Sequence, residues 1–343
     1  MIKKIKDLFI LTFFVCTIFS GAQAQAGETL DRIKEESIMI CAFTQMSKGL
    51  AYIDAMGKWT GFFSDYCRAF AIAATGSPKA VEWNLIDTVH RFDALASGEI
   101  DVLVANTTWT NRRDTSLGIK FTGAYFYDGQ GFLAHKNLGV KTLDELDKAS
   151  ICVGDATTTL LNLQELVNTT HPNLTVKTFN TIETRVNSFF ARKCDVLTDD
   201  RLALASYQQM SPSISTPLTL FPDVISKEPL SPVVRANDLE WFDVVRWTVF
   251  ATIAAEELGI TSKNVDQMLT SNKPEIRRLL GVEGEIGKSM DLPDDWAYQV
   301  IKQVGNYGEI FNRNIGPSTD MNLERGLNAL WKDGGLLYAP PFR

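Results

Sequence analysis

DVLVANTTWTNRRDTSLGIKFTGAYFYDGQGFL, residues 101–133, is the stretch on which the fold turns. It opens on a buried-strand pattern, Val102-Leu103-Val104-Ala105, and changes at once to Asn106, Thr107, Thr108, Thr110 and Asn111 before the cations Arg112 and Arg113. Hydroxyls and a guanidinium at a strand's end suit a small anion, because the planar fork of Arg holds a carboxylate through two parallel hydrogen bonds. Open α/β sheets bind ligands at the carboxyl ends of their strands. A solvated loop with one arginine in a surface salt bridge accounts for the same residue types.

Working outward, residues 37–43 (SIMICAF) read as a buried strand, 61–74 (GFFSDYCRAFAIAA) as a helix from its apolar spacing, and 81–83 as a strand. Residues 88–97 form a helix that Gly98 ends. Strand, helix, strand, helix, strand is the grammar of a parallel α/β sheet. Beyond residue 133 it repeats, with strands at 150–153 and 174–178 and helices at 143–148, 160–168 and 182–191. The second half then reaches Cys194-Asp195-Val196-Leu197-Thr198-Asp199-Asp200, echoing Ile100-Asp101-Val102-Leu103-Val104 in the first. Each half therefore aims a polar loop from an Asp-Val-Leu strand, as two lobes facing a cleft would. In the second half Thr157, Thr158 and Thr159 lie between strand and helix, where hydroxyl caps and free N–H groups favour an anion. Asp199 and Asp200 could hold an ammonium group. Ordinary N-capping and a solvated acidic loop are the plainer readings. Carboxylate donors with an ammonium acceptor add up to a free amino acid.

Residues 1–24 read as an address for export: Lys3, Lys4 and Lys6, an apolar run over 8–20, and the small-x-small Ala22-Gln23-Ala24. Their removal takes three lysines and Asp7 away, moving the formal charge from −7 to −9. That acidity argues against nucleic acid or an anionic membrane as partner. A hydrophobic content of 45 % over this length suits two cores rather than one. Cys41, Cys67, Cys152 and Cys194 remain, an even count that suggests two disulfides with three possible pairings in an oxidising compartment. With no C-x-x-C pair and only His90, His135 and His171 to help, no metal site is expected. The aromatics of 239–257 (Trp241, Trp247, Phe250) read as core.

Four stretches resemble the periplasmic general L-amino-acid-binding proteins of ABC transporters: NTTWTNRRDTSLGIKFTGAYFYDGQGFL (106–133), KASICVGDATTTLLNL (148–163), the run from Ile225 to Asp266, and the ending from Pro274 to Arg343. The resemblance covers the chain from about residue 37 onward. It implies an α/β, two-lobed periplasmic binding protein type 2 fold with two crossover hinge segments, near 133–135 and 231–235. Lobe one would comprise 27–133 and the return 233–343 with a C-terminal extension, and lobe two 134–232. Carried over, the carboxylate clamp falls on Arg113 with Thr108 and the backbone near Asn106, while Arg112 points to solvent. The backbone of Thr158 completes it, and Asp200 holds the α-ammonium. Cys41–Cys67 and Cys152–Cys194 are the implied disulfides. Asp155, Asp199, Thr44 and Tyr52 stand where the side-chain part of the pocket would be, in loops that depart from the family pattern. From them follows the expectation that Asp155 and Asp199 disfavour acidic ligands. The implied function is capture of free L-amino acids by a monomer, without cofactor or catalysis, and delivery to an inner-membrane permease. A sensor protein and a dehydratase-like enzyme on the same fold are the alternatives.

Overall fold

The computed structural model describes residues 27–210 and 217–343, so the leader expected at 1–24 lies outside the described residues. Two five-stranded sheets form the frame. The first runs Val81–Leu85, Met39–Phe43, Val102–Leu103, Val233–Arg235, Ile119–Phe121. The second runs Thr175–Phe179, Ser150–Gly154, Val196–Asp200, Gln130–His135, Leu218–Leu220. In both, the first three strands are parallel and the fourth is antiparallel to each neighbour. The echo in the sequence thus marks one topology used twice.

The Asp of each echo has a structural task. Asp101 Oδ2 accepts the N–H of Ile40 at 2.7 Å, and Asp195 Oδ2 accepts that of Ser150 at 2.7 Å. Each carboxylate fastens the start of the neighbouring parallel strand, so its own strand delivers its far end to the cleft.

Helix Phe62–Thr75 is buried at every residue but Arg68 and Thr75, because it lies between the first sheet and helices from the C-terminal half. It begins after Gly61 at φ +120°, where a Cβ would stand 2.2 Å from the Leu50 carbonyl oxygen. Cys41 is bonded to Cys67 and Cys152 to Cys194, with Cα separations of 5.9 and 5.6 Å. These are the pairings implied by the resemblance, each contributing about 2–4 kcal/mol. Helix Leu239–Glu257 buries Trp241, whose Nε1 donates to the Asp101 carbonyl at 2.9 Å, while Trp247 packs edge-on against Phe250 and Phe342. No helix of the described residues is long and apolar enough to cross a membrane.

The crossings differ from the expectation. Gln130–His135 is a full strand of the second sheet and Val233–Arg235 a strand of the first, so neither 133–135 nor 231–235 joins the lobes. The chain crosses at Phe126–Asp128 and returns at Glu228–Leu230, an antiparallel pair that sets Asp128 opposite Glu228. The second lobe therefore begins near Gly129, not 134, and ends near Lys227, not 232. Asn328 of the C-terminal segment grips this hinge: its side chain accepts the Tyr127 N–H at 2.7 Å and donates to the Tyr127 carbonyl at 3.0 Å.

Candidate functional site

The ends of Val102–Leu103 and Val196–Asp200 face each other across a cleft lined by both lobes, with about 40 Å³ of free space between them. Arg113 enters from the short helix Asn111–Ser116, whose N-cap Thr110 accepts the Arg113 N–H at 3.3 Å. Its Nη1 donates to the Thr108 carbonyl at 3.0 Å and its guanidinium lies 5.3 Å from the Phe92 ring centre. No carboxylate of the described residues forms an ion pair with it. Burial lowers its proton affinity, against the pull of Glu228 and Asp200. Arg112 is exposed.

Opposite stands Asp200, buried at 4 % exposure. Its Oδ2 accepts from Asn106 Nδ2 at 2.6 Å, across the lobes, and its Oδ1 has no partner. Burial above all, then Asp199, Glu228 and Asp128, pushes its pKa well above the carboxylate range. A carboxylate held this way gains from an incoming ammonium group, which supplies both a donor for Oδ1 and a positive charge. The plainer reading of the acidic pair as a solvated loop is overturned: Asp199 and Asp200 end a buried strand.

Of the three threonines, Thr157 is the N-cap of Thr158–Thr169, accepting the Leu160 N–H at 3.0 Å. Thr158 faces the other lobe, its hydroxyl 3.3 Å from that of Thr108. Both hydroxyls also reach Glu228 Oε2, from the returning hinge strand. Glu228 is buried at 2 % exposure, with Oε1 accepting from Asn162 at 3.1 Å and Ser226 at 2.7 Å. Sequence reasoning missed it, since Lys227-Glu228-Pro229 looks like a surface turn.

Arg91 was missed as well. It starts helix Arg91–Ser97, is 4 % exposed, donates to the Thr88 carbonyl and lies 4.3 Å from the Phe92 ring centre. Burial, reinforced by Arg113, lowers its pKa to about 9. The cleft thus holds two guanidiniums without ion pairs among the described residues.

Thr44, Asp155 and Asp199 also line the cleft, but Tyr52 does not. It sits in the hairpin of Tyr52–Ile53 with Trp59–Thr60, beside a separate depression containing Lys48, Arg313 and Asp320. Asp199 is ion-paired with the buried Arg185, and the Tyr207 hydroxyl lies 3.3 Å from it. Asp155 is exposed and accepts the Ala156 N–H at 2.9 Å. The expectation that these aspartates repel acidic ligands therefore loses its basis, since Asp199 is neutralised by Arg185 and Asp155 is solvated. Further bonds join the lobes: Ser206 Oγ donates to the Lys48 carbonyl at 2.8 Å, and Tyr207 donates to Gln45.

Two lobes of matching topology, joined by a paired hinge and bringing cations from one side and carboxylates from the other, define a solute-binding protein. Comparison with known proteins gives the family. Residues 39–317 match the bacterial extracellular solute-binding proteins, family 3, and the chain belongs to that family. It is 46 % identical over 325 residues to the general L-amino acid-binding periplasmic protein AapJ of Rhizobium johnstonii, covering 94 % of this chain and 95 % of that one. It is 45 % identical over 339 residues to the glutamate/glutamine/aspartate/asparagine-binding protein BztA of Rhodobacter capsulatus, covering 98 % and 99 %. An ABC transporter/periplasmic binding protein from Brucella ovis, solved with glutathione bound, superposes with a TM-score of 0.88 at 42 % identity, covering 92 % of this chain and 99 % of that one.

Proposed function

We propose that this chain is the periplasmic receptor of an amino-acid ABC transporter. It captures free L-amino acids by closing its lobes on them and hands them to a membrane permease, as a monomer freed of residues 1–24 near Ala24. One observation carries the reading: a guanidinium without an ion pair, Arg113, stands at one strand end, and a buried carboxylate with an unpartnered oxygen, Asp200, stands at the other. A zwitterion answers both. Arg113, the Thr108 hydroxyl and the N–H groups at Thr158 take the α-carboxylate, and Asp200 takes the α-ammonium. To accept a ligand carboxylate, the Thr108 and Thr158 hydroxyls turn away from Glu228. Arg91 adds a second cation for acidic or amide side chains. The relatives named for glutamate, glutamine, aspartate and asparagine, or for L-amino acids in general, support that range.

A micromolar dissociation constant corresponds to about −8 kcal/mol. Charge-assisted hydrogen bonds at about 1.5–3 kcal/mol each reach that with three or four contacts. Family membership supports transport over turnover. Titration calorimetry of residues 25–343, refolded from denaturant to strip carried-over ligand, tests this against the twenty L-amino acids. Binding of several of them is expected, with glutamate and glutamine among the tightest. A response to none would contradict it.

A further inference from the structure

Thr44, Thr88, Thr181 and Ile182 line the amino-acid cleft and, equally, a second cavity of about 610 Å³. The cleft therefore adjoins a space of the size in which small molecules bind, about 300–1,000 Å³. Its walls come from both lobes: Met46, Leu85 and Ile86 from the first, and Val186 from the second. Among the described residues, the charged groups lining it are Asp87 and Glu183, and no Lys or Arg does so. At its junction with the cleft, next to Thr44, stands Gln45, 4 % exposed. Its Oε1 takes the Tyr207 hydroxyl, while its Nε2, a buried donor, has no partner among the described residues. A buried N–H without an acceptor is costly, so a carbonyl oxygen at this point would be favoured.

We propose that this cavity is a second subsite, taking the side-chain extension of amino acids prolonged through a carbonyl into an uncharged apolar tail. The γ-amides of L-glutamate with alkyl or aryl groups are the fitting class. The proposal rests on the amino-acid reading of the cleft. The α-carboxylate and α-ammonium stay on Arg113 and Asp200, the side chain passes between Thr44, Thr88 and Thr181, and its amide carbonyl accepts from Gln45. The tail lies against apolar walls from both lobes, so closing them buries it on two sides. A tail ending in a free carboxylate would leave water for walls on which no Lys or Arg of the described residues can pair with it, and is disfavoured.

Calorimetry on the ligand-stripped chain tests this with L-glutamine, Nγ-ethyl-L-glutamine, γ-L-glutamylanilide and γ-L-glutamylglycine. The anilide is expected to bind about tenfold more tightly than L-glutamine, with the glycine amide weaker than the anilide. Ile86→Trp, which narrows only the second cavity, should weaken the anilide about tenfold and leave L-glutamine unchanged. Gln45→Leu should weaken the amides more than L-aspartate. Rejection of the anilide by a protein that binds plain amino acids overturns the subsite alone, and tighter binding of the glycine amide overturns its preference for an uncharged tail. Silence towards every plain amino acid and every amide overturns the reading on which it rests.

Discussion

The two Asp-Val-Leu strands share their origin and differ at their ends. Asp101 and Asp195 do the same work, each clasping an N–H at the start of a neighbouring strand. Five residues further on, the first leads to Asn106 and Thr108 beside Arg113, and the second to Asp200. The shared part sets the position of each strand end, and the unshared part sets its charge. The lobes are topologically alike but, among the described residues, present unpaired groups of opposite sign at the cleft, Arg113 and Asp200, which is what the proposed zwitterion would use.

That contrast can be broken most severely at Arg113. Arg113→Ala removes one side of a desolvated charged contact and should cost about 2–5 kcal/mol of binding, a loss of roughly 30-fold or more. The thermal midpoint without ligand should hardly change, since no ion pair is lost; calorimetry and a melting curve check both. Asp200→Asn should weaken binding through the ammonium and also alter stability with pH. Asp200 has a raised pKa and Asp128 one of about 7, both chiefly through burial, so the folded chain keeps protons that the unfolded chain has already lost. Stability from these groups therefore falls as pH rises from about 4 towards neutrality. Asp200→Asn should raise the melting temperature at pH 7 and flatten its dependence on pH. In the wild type, ligand binding near neutrality should release protons, read as a heat that varies with the buffer; the variant should release fewer.

The shared half of the comparison gives smaller effects. Asp101→Asn and Asp195→Asn should each lower stability by about 1–3 kcal/mol, through partly unsatisfied strand ends, as measured by urea unfolding. A loss at only one of the two would show that the echo is not functional in both lobes. Smallest is the hinge contact: Asn328→Ala should cost about 0.5–1.5 kcal/mol of stability, from two hydrogen bonds to Tyr127.

The repeat, both sheets' parallel strands and the two strand ends were legible because each is a local pattern of burial followed by polar residues. The hinge was not. Residues 133–135 are expected at a crossing, and nothing local says that GFLAH is instead a strand of the second sheet. That depends on pairing with Val196–Asp200, some sixty residues away. Arg91 and Glu228 escaped for a related reason: His90-Arg91-Phe92-Asp93 and Lys227-Glu228-Pro229 look solvated, and nothing local shows that both side chains are buried in the fold. Tyr52 erred the other way, an aromatic near a cleft loop whose hairpin turns it to another face.

The most direct measurement compares L-glutamate with two analogues that each lack one end of the handle: glutarate, without the ammonium, and γ-aminobutyrate, without the α-carboxylate. Titrated into the ligand-stripped wild type, both should bind at least about a hundredfold more weakly than L-glutamate, the equivalent of about 2.7 kcal/mol. Asp200→Asn should narrow the gap to glutarate, and Arg113→Ala the gap to γ-aminobutyrate. Analogues binding as tightly as the amino acid would contradict the claim that opposite charges on two matched strand ends hold the ligand.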